Sequence, residues 1–126
     1  MSDTVTLTIP SDTAYVALAR SVAATMSAQA DLPIDQLEDV RLAVDEALSQ
    51  VIADAPPGSD ITCTYTVDGA DLSIIVAGAS VSGEVPSTGT FSWIVMRALV
   101  DHVSADVADG ALSLHLRVSR TVPVEA

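Results

Sequence analysis

The chain has no lysine. Its five cations are arginines, set against seventeen acidic residues, for a formal net charge of −12 over 126 residues. Such a surface repels phosphate backbones and anionic headgroups, which disfavours direct binding of nucleic acid or membrane. A basic protein partner suits it, although acidity also serves solubility alone. Cysteine is nearly absent. Cys63 has no intrachain disulfide partner, as expected of a reducing cytoplasm, and its place in an alternating strand makes it a core residue. No apolar run nears the roughly 20 residues that span a bilayer, and Met1-Ser2-Asp3-Thr4 lacks the start of a signal peptide. Aromatics are scarce, and the only Phe and Trp, Phe91 and Trp93, are expected as core anchors. Neither His102 nor His115 has a partner at ligand spacing, which argues against a metal centre.

What is present is apolar and patterned. Hydrophobic residues make up 49% of the chain and mean hydropathy is +0.45, which excludes disorder. The length suits one domain over residues 1–126 with a real core. The organising stretch runs from Asp35 to Ala55. Leu37, Val40, Val44, Leu48 and Val51 recur at helical spacing, Asp35 with Glu38 reads as a capping box, and Pro56-Pro57-Gly58 closes the far end. Glu46 and Gln50, one turn apart, point the same way off that stripe. Pattern alone reads the pair as a solvated helix face.

Before that helix, Val5, Leu7 and Ile9 alternate with threonines as a strand, and Ser11 is a plausible N-cap. A helix from about Thr13 to Ala28 carries Tyr15, Leu18, Ala19, Val22 and Met26 on its inward face. Ala17, Arg20, Ala24 and Ser27 lie opposite; they are either a surface of close approach around one cation or an alanine-padded solvent face. After it come two hairpins, turning at Asp68-Gly69 and Asp109-Gly110, with His115 on an outward face and His102 near a helix end. Between the hairpins lie a long loop, Ala77–Thr90, and a third helix, Phe91–Val100. Thr and Ser line one face of several strands and aliphatics the other. The expected fold is therefore an α/β (α+β) two-layer sandwich, a mixed sheet covered by helices on one face.

That order, with Leu42-Ala43-Val44-Asp45-Glu46-Ala47 and the block Gly89–Val103, resembles the bacterial anti-sigma factor serine-protein kinases, members of the GHKL, histidine-kinase-like ATPase superfamily. The similarity runs from about Val5 to Arg120 and looks closest to an actinobacterial branch that holds F-type or general-stress sigma factors. The resemblance implies a nucleotide beneath a mobile lid, gripped by three motifs, each of which departs here. Of the helix motif Glu-x-x-x-Asn, Glu46 stands at the general-base position, but Gln50 replaces the magnesium-binding Asn. Its longer arm would displace a cation that needs near-ideal octahedral geometry at ~2.1 Å. The adenine-binding Asp of Asp-x-Gly-x-Gly falls on Gly78, or on Ala77 with a one-residue shift. The phosphate-cradling Gly-x-Gly after Gly89 corresponds to Thr90-Phe91-Ser92, whose side chains should crowd the backbone approach that phosphates need.

The expectation is thus a degenerate nucleotide pocket at Gln50, Ala77, Gly78, Gly89, Thr90 and Ser92, with ATP and magnesium binding weak or lost. The resemblance implies a cytoplasmic pseudokinase, an anti-sigma factor that sequesters a sigma factor and is countered by a STAS-type anti-anti-sigma partner. The expected partner surface is Ala17, Arg20 and Ala24, and a homodimer is possible within the family. The alternative is an active ATP-dependent kinase that phosphorylates a serine of the anti-anti-sigma partner, with Glu46 catalytic and Gln50 holding magnesium. A domain cut from a larger sensor kinase is a third reading, disfavoured by strands at both ends.

Overall fold

The computed structural model describes residues 2–121. In chain order it contains β1 (Ser2–Pro10), a 3-10 turn (Thr13–Tyr15), α1 (Val16–Gln29), α2 (Ile34–Ala53), β2 (Asp60–Asp68), β3 (Asp71–Ala79), α3 (Phe91–Leu99), β4 (His102–Ala108) and β5 (Ala111–Ser119). The strands form one sheet in the order β1-β2-β3-β5-β4, and the helices cover one of its faces. The two-layer α+β expectation holds, but the sheet is antiparallel at every pairing and not mixed. Two helices separate β1 from β2, so the chain reverses direction three times and re-enters beside β1 running the other way. One helix separates β3 from β4, which leaves those two parallel, but β5 lies between them and opposes both.

Alternation decides the strand faces. Ile61, Cys63 and Tyr65 of β2, Leu72, Ile74 and Val76 of β3, and Leu112, Leu114 and Leu116 of β5 point to the helices and are buried. Thr62, Thr64, Ser73, Ser113 and His115 point to the uncovered face, His115 as expected. The second hairpin turns at Asp109 (φ 53°) and Gly110 (φ 76°), both left-handed, as a tight two-residue turn requires. The first turns at Gly69-Ala70, one residue later than the dipeptide signal suggests.

The central helix, α2, buries Val40, Ala43, Val44, Ala47, Leu48 and Val51. Each large aliphatic among them contributes roughly 1.5–3 kcal/mol by leaving water. Its capping box does not form: the helix begins at Ile34 after Pro33 with no side-chain cap, Asp35 lies inside the first turn, and Glu38 pairs with Arg41 at 3.1 Å. Likewise Asp12, not Ser11, caps the 3-10 turn, accepting from the Ala14 N–H at 2.9 Å.

The inward face of α1 differs from the periodic expectation. Ala19, Ala23, Met26 and Ser27 are buried, whereas Leu18 is 49% and Tyr15 43% exposed. Small side chains let α1 lie close to its neighbours, and the Tyr65 hydroxyl, rising from the sheet, donates to the Ala19 carbonyl at 2.9 Å. Trp93 is a core anchor as expected; Phe91 is not, being 80% exposed. His102 opens β4 and packs edge-on against His115, ring centroids 5.9 Å apart.

Candidate functional site

Helices α2 and α3 run antiparallel: Ser92 at the start of α3 meets Glu46 in the second half of α2, while Val100 beyond its end shares an apolar gap with Val40 near the α2 start. The Ser92 hydroxyl donates to the Glu46 carboxylate at 2.7 Å. The side chain expected as a general base is therefore bound to the very residue that replaces a phosphate-cradling glycine. Thr90 caps α3: its hydroxyl oxygen accepts from the Trp93 N–H at 3.2 Å and itself donates to the Ser87 carbonyl at 3.1 Å. A helix N-terminus binds anions through free N–H groups, and here one of them is already taken by the chain's own hydroxyl.

Of the two positions considered for the adenine-binding carboxylate, Gly78 is the one that faces the helices; Ala77 pairs with Thr62 and Ser113 on the uncovered face. A Cβ on Gly78 would lie 2.6 Å from Ile61 Cδ1 and 3.1 Å from Val51 Cγ1. Ile61, directly opposite on β2, and Val51 of α2 occupy the space a side chain would need, and both are fully buried. Gly89 is different: a Cβ there meets only Ser87 Oγ, at an ordinary 3.7 Å.

The cleft beside Gln50 is lined by Gln50, Ala53, Asp54, Ser82, Glu84, Val85, Pro86 and Leu112, with a volume of about 250 Å³. That lies below the ~300–1,000 Å³ usual for small-molecule sites. Its charged groups are carboxylates. None of Ala77, Gly78, Gly89, Thr90 or Ser92 lines it, so of the six pocket positions only Gln50 borders this cleft.

A model of the histidine kinase-like ATPase domain matches residues 9–118. The chain belongs to the histidine kinase-like ATPase family. It is also 32% identical over 114 residues to the anti-sigma-F factor RsbW of Mycobacterium tuberculosis, in both strain CDC 1551 / Oshkosh and strain ATCC 25618 / H37Rv. That match covers 83% of this chain and 67% of each relative.

Three features of this chain bear on the nucleotide that the fold implies. The carboxylate position is packed with aliphatic side chains, the phosphate end is capped by Thr90, and the adjoining cleft is small and acidic. Among the described residues no group of three or more His, Cys, Asp or Glu could hold a metal ion, and no helix is long and apolar enough to cross a membrane.

Arg20 does not stand on an open surface. It donates to Asp45 of α2 at 2.8 Å, both side chains about a third exposed, and this pair stitches α1 to α2. Ala24 is half-buried beside that seam and Ala17 is exposed. Asp45, next to Glu46 in the most recognisable part of the helix, was not singled out by sequence reasoning. Nor was Asp54. Its carboxylate accepts hydrogen bonds from the Ser80 hydroxyl and from the Ser82 N–H and hydroxyl at 3.0 and 3.1 Å, and its carbonyl accepts from the Val81 N–H at 2.8 Å. The Ser80 hydroxyl, then the Ser82 N–H, hold Asp54 below the usual carboxylate range. This latch ties the start of the long loop to the end of α2. Its signal in the sequence was faint: a carboxylate just past a helix, and a Ser-x-Ser step nearly thirty residues later.

Proposed function

We propose that this domain is an anti-sigma factor that sequesters an alternative sigma subunit through its protein-binding surface, without ATP, and is released by a STAS-type anti-anti-sigma partner. The similarity to the anti-sigma-F factor RsbW supports the class of activity. The observation that carries the ATP-independent part is Gly78, which offers adenine no carboxylate; a side chain added there would have to push aside the ends of Ile61 and Val51. Losing one buried polar partner costs a ligand about 1–3 kcal/mol, before phosphate and metal contacts are counted. Binding of this kind is competition for overlapping surface and needs no chemistry.

An active serine kinase is the competing reading. Glu46 at the general-base position favours it; the hydrogen bond that Ser92 donates to that carboxylate counts against it. Phosphoryl transfer depends on positioning, and a nucleotide would first have to break the Glu46–Ser92 bond. The test is co-purification from the source cell with the tagged domain as bait. The proposal expects a sigma subunit in the eluate, displaced by added STAS-type protein that remains unphosphorylated. Absence of any sigma subunit removes the anti-sigma reading, and phosphate on the STAS protein restores the kinase. An Arg20→Glu bait asks whether the α1 surface with Ala17 and Ala24 takes part, since that change also breaks the pair with Asp45.

A further inference from the structure

The outer seam of α2 and α3 is apolar where a solvent face should be polar. Phe91 and Ile94, three residues apart on α3, are 80% and 56% exposed, and Leu42 of α2 is 53% exposed. Antiparallel packing, registered by Ser92 on Glu46, sets Leu42 one helical turn along the same seam. Val85, in the loop that leads into α3, is exposed as well. Isolated exposed aliphatics are ordinary, but a row of them along a helix pair is the usual mark of a docking surface.

Carboxylates border this row. Helix α2 carries Asp35, Glu38, Asp39, Asp45 and Glu46 against a single arginine, Arg41. The three ion pairs among the described residues engage Asp45, Glu38 and Asp31, which leaves Asp35, Asp39 and Glu84 without a cationic partner. Two occupants are disfavoured by this charge. A second copy would press one acidic seam against another with −12 on each chain, and an anionic membrane would be repelled in the same way.

We propose that the α2–α3 seam docks a basic amphipathic helix of a protein partner. The apolar stripe of that helix packs on Phe91, Ile94 and Leu42, and its flanking Lys or Arg meet Asp39, Asp35 and Glu84. Apolar anchors at helical spacing would supply affinity, and the acidic rim would supply association rate and orientation. The inference rests on the reading of the domain as a protein binder and adds the surface and the chemistry of what it binds. It also gives Phe91 a role that core packing does not.

The probe is a Leu/Lys peptide patterned as an amphipathic helix, titrated into the whole chain. Emission of Trp93, the only tryptophan, and amide chemical shifts are the readouts. The expected result is saturable binding, with shifts confined to residues 35–46, 84–85 and 91–98 and an affinity that falls as added salt shortens the Debye length. The double variant Phe91→Asp/Ile94→Asp should weaken binding at least ten-fold, while Leu18→Asp, at an exposed leucine of α1, leaves it unchanged. Equal binding of a Leu/Glu peptide, or binding indifferent to the double variant, overturns the proposal. So does a concentration-dependent dimer that Phe91→Asp abolishes, because a second copy would then cover the seam. If a sigma subunit still co-purifies with the double variant, the surface is wrong and the anti-sigma reading stands. If none co-purifies with the unaltered chain while the peptide binds as described, the surface stands and the anti-sigma reading falls.

Discussion

Gly78→Asp would restore the carboxylate through which relatives are expected to recognise adenine, and it should damage the fold instead. The new Cβ meets Ile61 Cδ1 at 2.6 Å and Val51 Cγ1 at 3.1 Å, so the ends of both side chains must shift. Displacing two fully buried side chains costs about 1–3 kcal/mol. The one polar atom among the three nearest to that Cβ is the Asp60 carbonyl oxygen at 3.6 Å, an acceptor that cannot donate to the new carboxylate. A buried charge left without a partner brings the loss to about 3–5 kcal/mol. Gly78→Ala separates the two contributions: it keeps the steric cost, offset by the smaller entropy that alanine loses on folding, for a net of about 1 kcal/mol. Urea unfolding reads both directly. With a slope of about 2 kcal/mol per M, Gly78→Asp should lower the midpoint by about 2 M and leave the slope unchanged. A variant with an unmoved midpoint, or one that ATP and magnesium stabilise, would mean that position 78 opens onto a usable pocket, and the reasoning would fail.

Other perturbations follow from the same contacts. Ser92→Ala removes the hydroxyl that holds Glu46; the bond is charge-assisted but half-exposed, so about 1 kcal/mol should be lost in a urea titration. Asp54 has a folded pKa below its unfolded value of about 3.9, so its contribution is complete above that pH and disappears as pH falls through the folded value. Hydrogen exchange over residues 80–84 should therefore quicken in strong acid, and Asp54→Ala should show the fast rate already at neutral pH. His115 is shifted the other way for a base: burial, then the neighbouring His102 and Arg117, lower its pKa from 6.5. The folded state thus resists protonation, stability is complete above about pH 6.5 and declines as pH falls through the folded pKa. His115→Gln should flatten that slope in thermal melts between pH 7 and pH 5.

The hairpins and α2 were legible because their signals are local. Thr-aliphatic alternation sets strand faces, Asp109-Gly110 allows a left-handed turn, and the aliphatic stripe of α2 spans about four turns. Strand direction was not local. Nothing in residues 60–119 taken alone says that β5 slots between β3 and β4, and this insertion makes the sheet antiparallel. The face of α1 was misread because periodicity weighs side-chain size, whereas burial there selects small residues, Ala19, Ala23 and Ser27, so that a helix can lie close. For the site, the motif departures at Gln50, Gly78 and Thr90 could be seen directly. What fills the space could not: Ile61 and Val51 reach Gly78 from two other elements, and a pairing across β2 and α2 leaves no trace in the spacing of any one of them. Asp54 with Ser80 and Ser82 escaped notice for the same reason.

The proposal that this domain works without ATP is tested most directly by calorimetric titration of the unaltered chain with ATP and magnesium. It predicts no saturable heat at millimolar ATP and no change in melting temperature. Saturable binding would contradict it, since ligand at 100 times Kd adds about 2.7 kcal/mol of stability, above all if Gln50→Ala or Glu46→Ala removed that gain.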